Sequence, residues 1–311
     1  ARFTDSDFSS NAELTGKLSH INFTNWSLDA LIKSNRLLVL NTKETEESLY
    51  YGTGFVAGDI NISGPMNQLF VDANVSTSKG TIFKIPLNDS EVVTENSFIK
   101  FVNSKDKQKK NKSESIVLDD IKGLEMEFNM DVTDDAEIEI VIDRDTGSSI
   151  LGRGNGSILA QINTSDKFQI FGDFLVLSGY YNYSLGKIIN KKFKLVKDGS
   201  LLWNGDPLKA EINIQAVYDG INVNPSTLLD NPINQSIPVE VRVNLTGALE
   251  KPDLDFDISF PKINSTLNNE LRDRLRDKDK RQFQALSLLT TGSFRSKIAL
   301  DSQDAFELVS D

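Results

Sequence analysis

Cysteine is absent from the 311 residues, which removes disulfides, thiolate metal ligands and cysteine nucleophiles together. Histidine occurs once, as His20. Zinc centres and serine-histidine-aspartate triads need histidine in a fixed partnership, and one imidazole between Ser19 and Ile21 in a strand-like run supplies neither. Basic residues are the minority, 34 against 45 acidic, for a net charge of -11. With no basic stripe carrying interleaved aromatics, a nucleic-acid-binding face is disfavoured. The one dense basic run, Lys105 to Lys112, sits in a segment (103–115) nearly free of apolar side chains and reads as a charged, solvated loop. No apolar stretch reaches the ~18 to 20 residues that span a bilayer as a helix, and no charged-then-apolar leader opens the sequence. Ala1 to Ser10 reads as mid-protein sequence, so any anchoring element is expected outside this chain.

What the sequence has in abundance is a period of two. Leu124, Met126, Phe128, Met130 and Val132 alternate with Glu125, Glu127, Asn129 and Asp131, which puts the apolar set on one face of a strand. The same alternation recurs in Ile138, Ile140 and Ile142; in Ile158, Ala160 and Ile162; in Phe168, Ile170, Phe174 and Val176; in Leu208, Ala210, Ile212, Ile214 and Ala216; in Val239, Val241, Val243 and Leu245; and in Leu254, Phe256 and Ile258. Turn formers such as Asp145-Thr146-Gly147 and Lys197-Asp198-Gly199 separate the runs. The expected fold over residues 1–263 is therefore all-β: a long antiparallel sheet of short strands of similar length, one side wet and one side apolar. Because a one-residue slip would turn the apolar set toward water, register is well specified. An internal echo, Ile60-Asn61-Ile62-Ser63-Gly64 against Val243-Asn244-Leu245-Thr246-Gly247, suggests a repeated strand-turn unit.

The pattern changes near residue 264. Leu267, Leu271 and Leu275 fall four apart, and the run from Ser265 to Phe294 reads as one helix with Ser265 as N-cap and Gly292 as its stop. Residues 264–311 are expected to form a helical segment and tail, with Ile298 to Val309 readable as helix or strand.

Catalytic readings find little support. Acidic pairs (Asp119-Asp120, Asp134-Asp135, Asp143 with Asp145, Asp255 with Asp257) lie in turns or on polar strand phases, where a solvated carboxylate is the default. Gly152-Arg153-Gly154-Asn155-Gly156 lacks the lysine and strand-to-helix context of a phosphate loop, and no Gly-x-Ser-x-Gly elbow occurs. Neither catalysis, a metal nor a cofactor is expected. The remaining candidate is the apolar face. Left in water it would be costly at about 25 cal/mol per Å², so it is either a sandwich core or the inside of a curled trough holding acyl chains. In the trough reading the strand residues listed above from Leu124 to Ile258 line up along one uninterrupted inner wall, with Ala160, Gly172, Ala210 and Ala216 leaving room.

Gly152-Arg153-Gly154-Asn155-Gly156 followed by Ile158-Leu159-Ala160, the Gly179-Tyr180-Tyr181 turn before Phe193, Val243 to Pro252 leading into Leu254, and the helix with Gln284-Ala285-Leu286-Ser287-Leu288-Leu289 resemble, in that order, the C-terminal domain of the TamB family. The Asn/Lys/Asp-rich, cysteine-free composition is similar to members from the Bacteroidota. The resemblance implies a curled "β-taco" groove, a periplasmic place bridging inner and outer membranes, phospholipid as cargo, and a part in outer-membrane biogenesis within a translocation and assembly module. It also implies that the segment after Ser265 faces an Omp85-type outer-membrane barrel, TamA-like or its lipoprotein counterpart, through Phe283, Leu286, Leu289 and Phe294. Two other readings stay open: an assembly factor for outer-membrane β-barrel proteins that pairs client strands with open sheet edges, and a carbohydrate-binding sandwich using Trp26, Tyr180, Tyr181 or Trp203.

Overall fold

The computed structural model describes residues 1–5, 7–45, 48, 50–87, 123–163, 168–185 and 189–295. The charged loop expected at 103–115 and the tail beyond 295 lie outside them. Among the described residues fifteen strands join in one sheet. The N-terminal group is β1 (Arg2–Thr4), β2 (Asn11–Ile21), β3 (Thr24–Thr42), β4 (Tyr51–Pro65), β5 (Leu69–Thr77) and β6 (Ile82–Pro86). Next come β7 (Leu124–Val132), β8 (Glu137–Asp143), β9 (Ser148–Asn163) and β10 (Phe168–Leu185). The sheet ends with β11 (Ile189–Leu195), β12 (Ser200–Gly205), β13 (Glu211–Val223), β14 (Ile237–Ala248) and β15 (Asp253–Ser259). Its main path is β1-β2-β3-β4-β5-β7-β9-β10-β11-β13-β14-β15, with β6, β8 and β12 paired beside it.

The fold is all-β and curled, as the alternation implies, with three departures. Strand lengths are uneven, from 3 residues in β1 to 19 in β3 and 18 in β10. Two pairs are parallel, β5 with β7 and β6 with β8. Residues 88–122 intervene between β6 and β7, a connection long enough for the chain to re-enter in the same direction, which a two-residue hairpin cannot do. Gly179-Tyr180-Tyr181 is not a turn but lies within β10, directly after a bulge between Val176 and Ser178.

That bulge belongs to a crease. β6 continues the line of β5 along β4, β8 continues β7 along β9, and β11 and β12 both pair with β10. The interruptions at 78–81, 133–136 and 196–199 thus fall in one band with the bulges at Ser34/Leu37 in β3 and Val176/Ser178 in β10. Where ladders break, threonine hydroxyls take over the backbone groups: Phe55 N donates to Thr81 Oγ1 at 3.0 Å, Thr133 N to Thr77 Oγ1 at 2.8 Å, and Thr133 Oγ1 to Thr77 O at 3.1 Å. Strands that pass the band unbroken rely on glycine. Gly58 (φ +141°) and Gly172 (φ +126°) hold backbone that L-residues rarely adopt, and a Cβ would sit 2.3 Å from Asn74 O and 2.0 Å from Ser157 O respectively.

Two helices follow where one is expected. α1 (Ser265–Arg274) is capped by Asn264, not Ser265: the Asn264 side chain accepts from Leu267 N at 2.9 Å. α2 (Lys278–Thr291) restarts at Asp277, whose carboxylate accepts from Lys280 N at 2.9 Å, and stops at Gly292 in the left-handed region (φ 69°). The run of charge from Arg272 to Lys280 has no apolar side chain but Leu275 to hold a continuous helix, so a second cap wins there. Leu271, Leu275, Ala285, Leu288, Leu289 and Phe294 enter the same core as β10 to β15. Arg281 and Lys278 reach Asp255 and Asp257 of β15 at 3.3 to 3.8 Å, and Arg281 Nε donates to Phe256 O, so α2 shields the terminal strand.

Candidate functional site: a half-closed apolar trough

Register alone assembles the apolar wall. Leu14 pairs with Ile32, Ile32 with Ile60, Ile60 with Ala73, Ala73 with Phe128, Phe128 with Ala160 and Ala160 with Ile170. One row of apolar side chains therefore crosses seven strands from β2 to β10 on one face. A parallel row runs Ala30, Ile62, Val71, Met126, Ile162 and Phe168. The opposite face carries Asp59, Asp72, Glu125, Glu127 and Asp131, with solvated pairs such as Lys33–Asp59 at 2.9 Å.

The wall changes character along its length. Of the residues expected to line it, Val132, Ile138, Ile140, Phe174, Val176, Ile212, Ile214, Val241, Val243, Phe256 and Ile258 are fully buried in the chain's own core. Leu124, Met126, Phe128, Met130, Ile142, Ile158, Ala160, Ile162, Phe168, Ile170 and Leu254 are only half-buried. The expectation of one uninterrupted open wall is thus corrected: Val132 at the end of β7, β8, β10 from Phe174 onward and β11 to β15 bring facing side chains together in one core that α2 completes. Tyr183 of β10 meets Phe256 of β15 edge-on at 5.4 Å, and Tyr181, Tyr183, Phe193 and Tyr218 stack into one aromatic plug with centroids 5.6 to 6.2 Å apart. The two ends remain connected, because Met130 touches both the large core and the smaller cluster of Val56, Ile60, Ala73 and Val75. Tyr50 spans the trough between Phe83 (5.3 Å) and Phe168 (5.9 Å).

Of the residues expected to face a partner, Leu289 and Phe294 are instead buried against the chain's own sheet, and Phe283 and Leu286 are half-buried. The helix spends most of its apolar stripe closing the trough. Tyr181 and Trp203, considered as surface aromatics, are buried as well, with Trp203 Nε1 donating to Pro207 O at 3.1 Å; Tyr180 and Trp26 are exposed. Leu208 falls in a single 3-10 turn (Pro207–Lys209) just before β13. Sequence reading missed the N-terminal part of the wall: Leu14, Ile32, Ile62, Val71 and Ala73. Apolar residues occupy both phases of β3, so only its register against β4 identifies the inner set.

Acidic pairs have local duties. Asp143 Oδ1 accepts from Asp145 N (2.8 Å) and Thr146 N (3.1 Å), and its Oδ2 accepts from Thr146 Oγ1 (2.6 Å), which holds its carboxyl below the usual carboxylate range. Asp255 and Asp257 hold α2. Among the described residues no group of three His, Asp or Glu side chains is placed to hold a metal ion. A cleft of about 690 Å³ crosses the crease, but its lining mixes Asn74, Ser76, Asn129, Asp131 and Ser157 with Val75, Met130 and Ile158 and converges no titratable pair.

The plug has a pH consequence. Burial pushes the Tyr183 hydroxyl up to about 12 and Tyr181 still further, from an ordinary value of 10.0. Both folded values lie above the unfolded one, so the stabilisation is fully present below pH ~10 and is lost as pH rises through the folded values. Far-UV circular dichroism and tyrosinate absorbance recorded together between pH 9 and 13 are expected to show the increment of Tyr181 and Tyr183, two of the six tyrosines, only in the step in which the fold is lost, above pH ~10. Tyrosinate absorbance of all six reached before the fold is lost would contradict a dry plug.

These features define a class: an all-β, taco-like sheet whose apolar inner face is filled by its own side chains at one end and half-exposed at the other. The family model for the TamB C-terminal domain matches residues 2–309, and the chain belongs to that family. Membership places it with cell-envelope proteins of outer-membrane assembly or lipid transport. No curated protein matches the chain in sequence.

Proposed function

We propose that the chain is a periplasmic segment of a translocation and assembly module, offering its half-exposed trough to phospholipid acyl chains on their way to the outer membrane, with an Omp85-type barrel as partner. The observation that carries this reading is the apolar row from Leu14 to Ile170, continuous over seven strands and flanked by a second row of the same character. A row of this kind offers methylene groups a continuous partner at about 0.8 kcal/mol each. No catalytic group is needed for such a conduit. A photoreactive phenylalanine analogue at position 128, on the wall, is expected to capture phospholipid in cells, whereas the same probe at position 202, exposed on the opposite face, is not. Equal capture at both positions, or none at 128, ends the proposal.

A second reading has its own support. β1 pairs only with Asn11 to Glu13 of β2, so among the described residues no strand pairs with the outer edge of β2 from Thr15 to Ile21. An open edge can take a client strand by β-augmentation. Crosslinks from backbone-adjacent positions in 15–21 to barrel precursors, with no lipid captured at 128, would favour it.

A further inference from the structure

The hairpin joining β2 to β3 is unlike the rest of the surface. Charged residues make up 25% of the chain, yet Leu18 to Leu28 contains none, and neither does Ile60 to Val71, which holds the neighbouring hairpin between β4 and β5. Met66 N donates to Trp26 O at 2.9 Å and ties the two tips together. Phe23 is 78% exposed and Ile21 65%, with Leu18, Trp26 and Met66 exposed beside them.

The exposure is held in place by the tip's own structure. Asn22, Phe23 and Asn25 all adopt positive φ (50°, 60° and 51°), a conformation that is costly for a bulky side chain such as Phe. Phe23 N donates to His20 Nδ1 at 3.1 Å, the two rings stack at 4.5 Å, Trp26 packs on the other contact of His20 at 4.5 Å, and Thr24 Oγ1 donates to Ile21 O at 2.7 Å. The result is a small aromatic knob presented on a closed, hydrogen-bonded turn. Leu18 pairs with Leu28 and Leu28 with Gly64, so the knob sits at the margin of the half-exposed trough.

From this geometry we infer that the paired tips form an interfacial membrane contact, seating Ile21, Phe23 and Trp26 in the headgroup boundary of a net-neutral, zwitterionic bilayer. The chemistry argues for lipid. A knob of aliphatic, aromatic and amide groups without formal charge loses apolar water contact on insertion and desolvates no ion. Trp and His rings carry polar edges suited to that boundary. Of the charges nearest the tips, Lys17 lies opposite Asp29 and Lys33 is paired with Asp59, while Asp72 and Glu125, beside Val71 and Phe70, are acidic. Among the described residues no uncompensated cation stands at the tips to select anionic lipid. The inference goes beyond the conduit reading and does not need the trough to hold lipid.

The test is flotation of the full chain with phosphatidylcholine vesicles, combined with quenching of tryptophan by brominated acyl chains. The chain has two tryptophans, and Trp203 is buried, so a quenching signal reports Trp26. The expected result is flotation, a blue shift and quenching in the wild type. The double variant Ile21→Ser/Phe23→Ser should show an apparent affinity about tenfold lower or less. Both substituted positions are exposed, so its circular dichroism should match wild type, and Leu202→Ser on the far face should float like wild type. The inference is overturned by absence of flotation, by flotation unchanged in the double variant, by flotation that requires anionic lipid, or by a vesicle-free dimer in light scattering that the double variant abolishes. A chain that floats yet carries no phospholipid at position 128 would reject the conduit and leave this contact standing.

Discussion

Ile214→Asp is expected to yield no folded protein. Ile214 is 1% exposed, lies opposite Leu245 of β14 and belongs to the filled end of the trough. Removing its methylenes costs ~2 to 5 kcal/mol. An unpaired carboxylate there adds several kcal/mol of desolvation, or a pKa shift of comparable cost. Total stability of a domain is about 5 to 15 kcal/mol, so the two losses together consume most or all of it. Far-UV circular dichroism and urea unfolding of the variant should therefore lack a cooperative transition. A variant that unfolds like wild type would mean that solvent reaches position 214, and the filled end would have to be redrawn as open.

Much of this division is invisible in the sequence, and the reason is physical. Period two reports which face a side chain takes, and for β7, β9, β13, β14 and β15 the inner face is as expected. It carries no information on what stands opposite that face. Phe128 and Ile214 have the same pattern around them, yet one is half-buried and the other is core, because the crease and curl bring β15 against β10 and α2 against β15, while nothing comparable covers Phe128 and its neighbours Met126 and Ala160. The crease itself is written in residues that look ordinary in a linear reading: Thr77, Thr81 and Thr133 have the composition of any polar strand end, and their hydroxyls become ladder substitutes only once strand breaks align in space. The parallel pairs hide for a related reason, since direction depends on the length of the connection 88–122 and not on alternation. Of the four helix residues expected to face a partner, Leu289 and Phe294 are buried in the chain's own core and Phe283 and Leu286 are half-buried, a division that helical spacing does not encode. Of the paired tips only Trp26 stood out in the sequence, as a surface aromatic; what joins the tips is the hydrogen bond from Met66 to Trp26 across 40 residues of sequence.

Phe128→Asp should separate function from folding. Phe128 is half-buried on β7 and flanked in its row by the small side chains Ala73 and Ala160, so its ring is the raised point of the open wall. A carboxylate placed there remains reachable by water and keeps its charge, so the folded state loses only the partial burial of one ring, on the order of 1 to 2 kcal/mol. For an acyl chain the consequence is larger. It would have to lie across a hydrated anion or lift away from the wall over several methylenes, forfeiting about 0.8 kcal/mol for each. Loss of two or three such contacts lowers phospholipid occupancy by at least about tenfold. Native mass spectrometry of the purified variant, with extracted lipid quantified per mole of folded protein, should find that drop while the urea midpoint stays near wild type. Leu202→Asp, on the opposite face, is expected to change neither quantity. A folded Phe128→Asp chain that still carries wild-type phospholipid would show that acyl chains do not travel along this row, and the open edge of β2 would then be the surface to pursue.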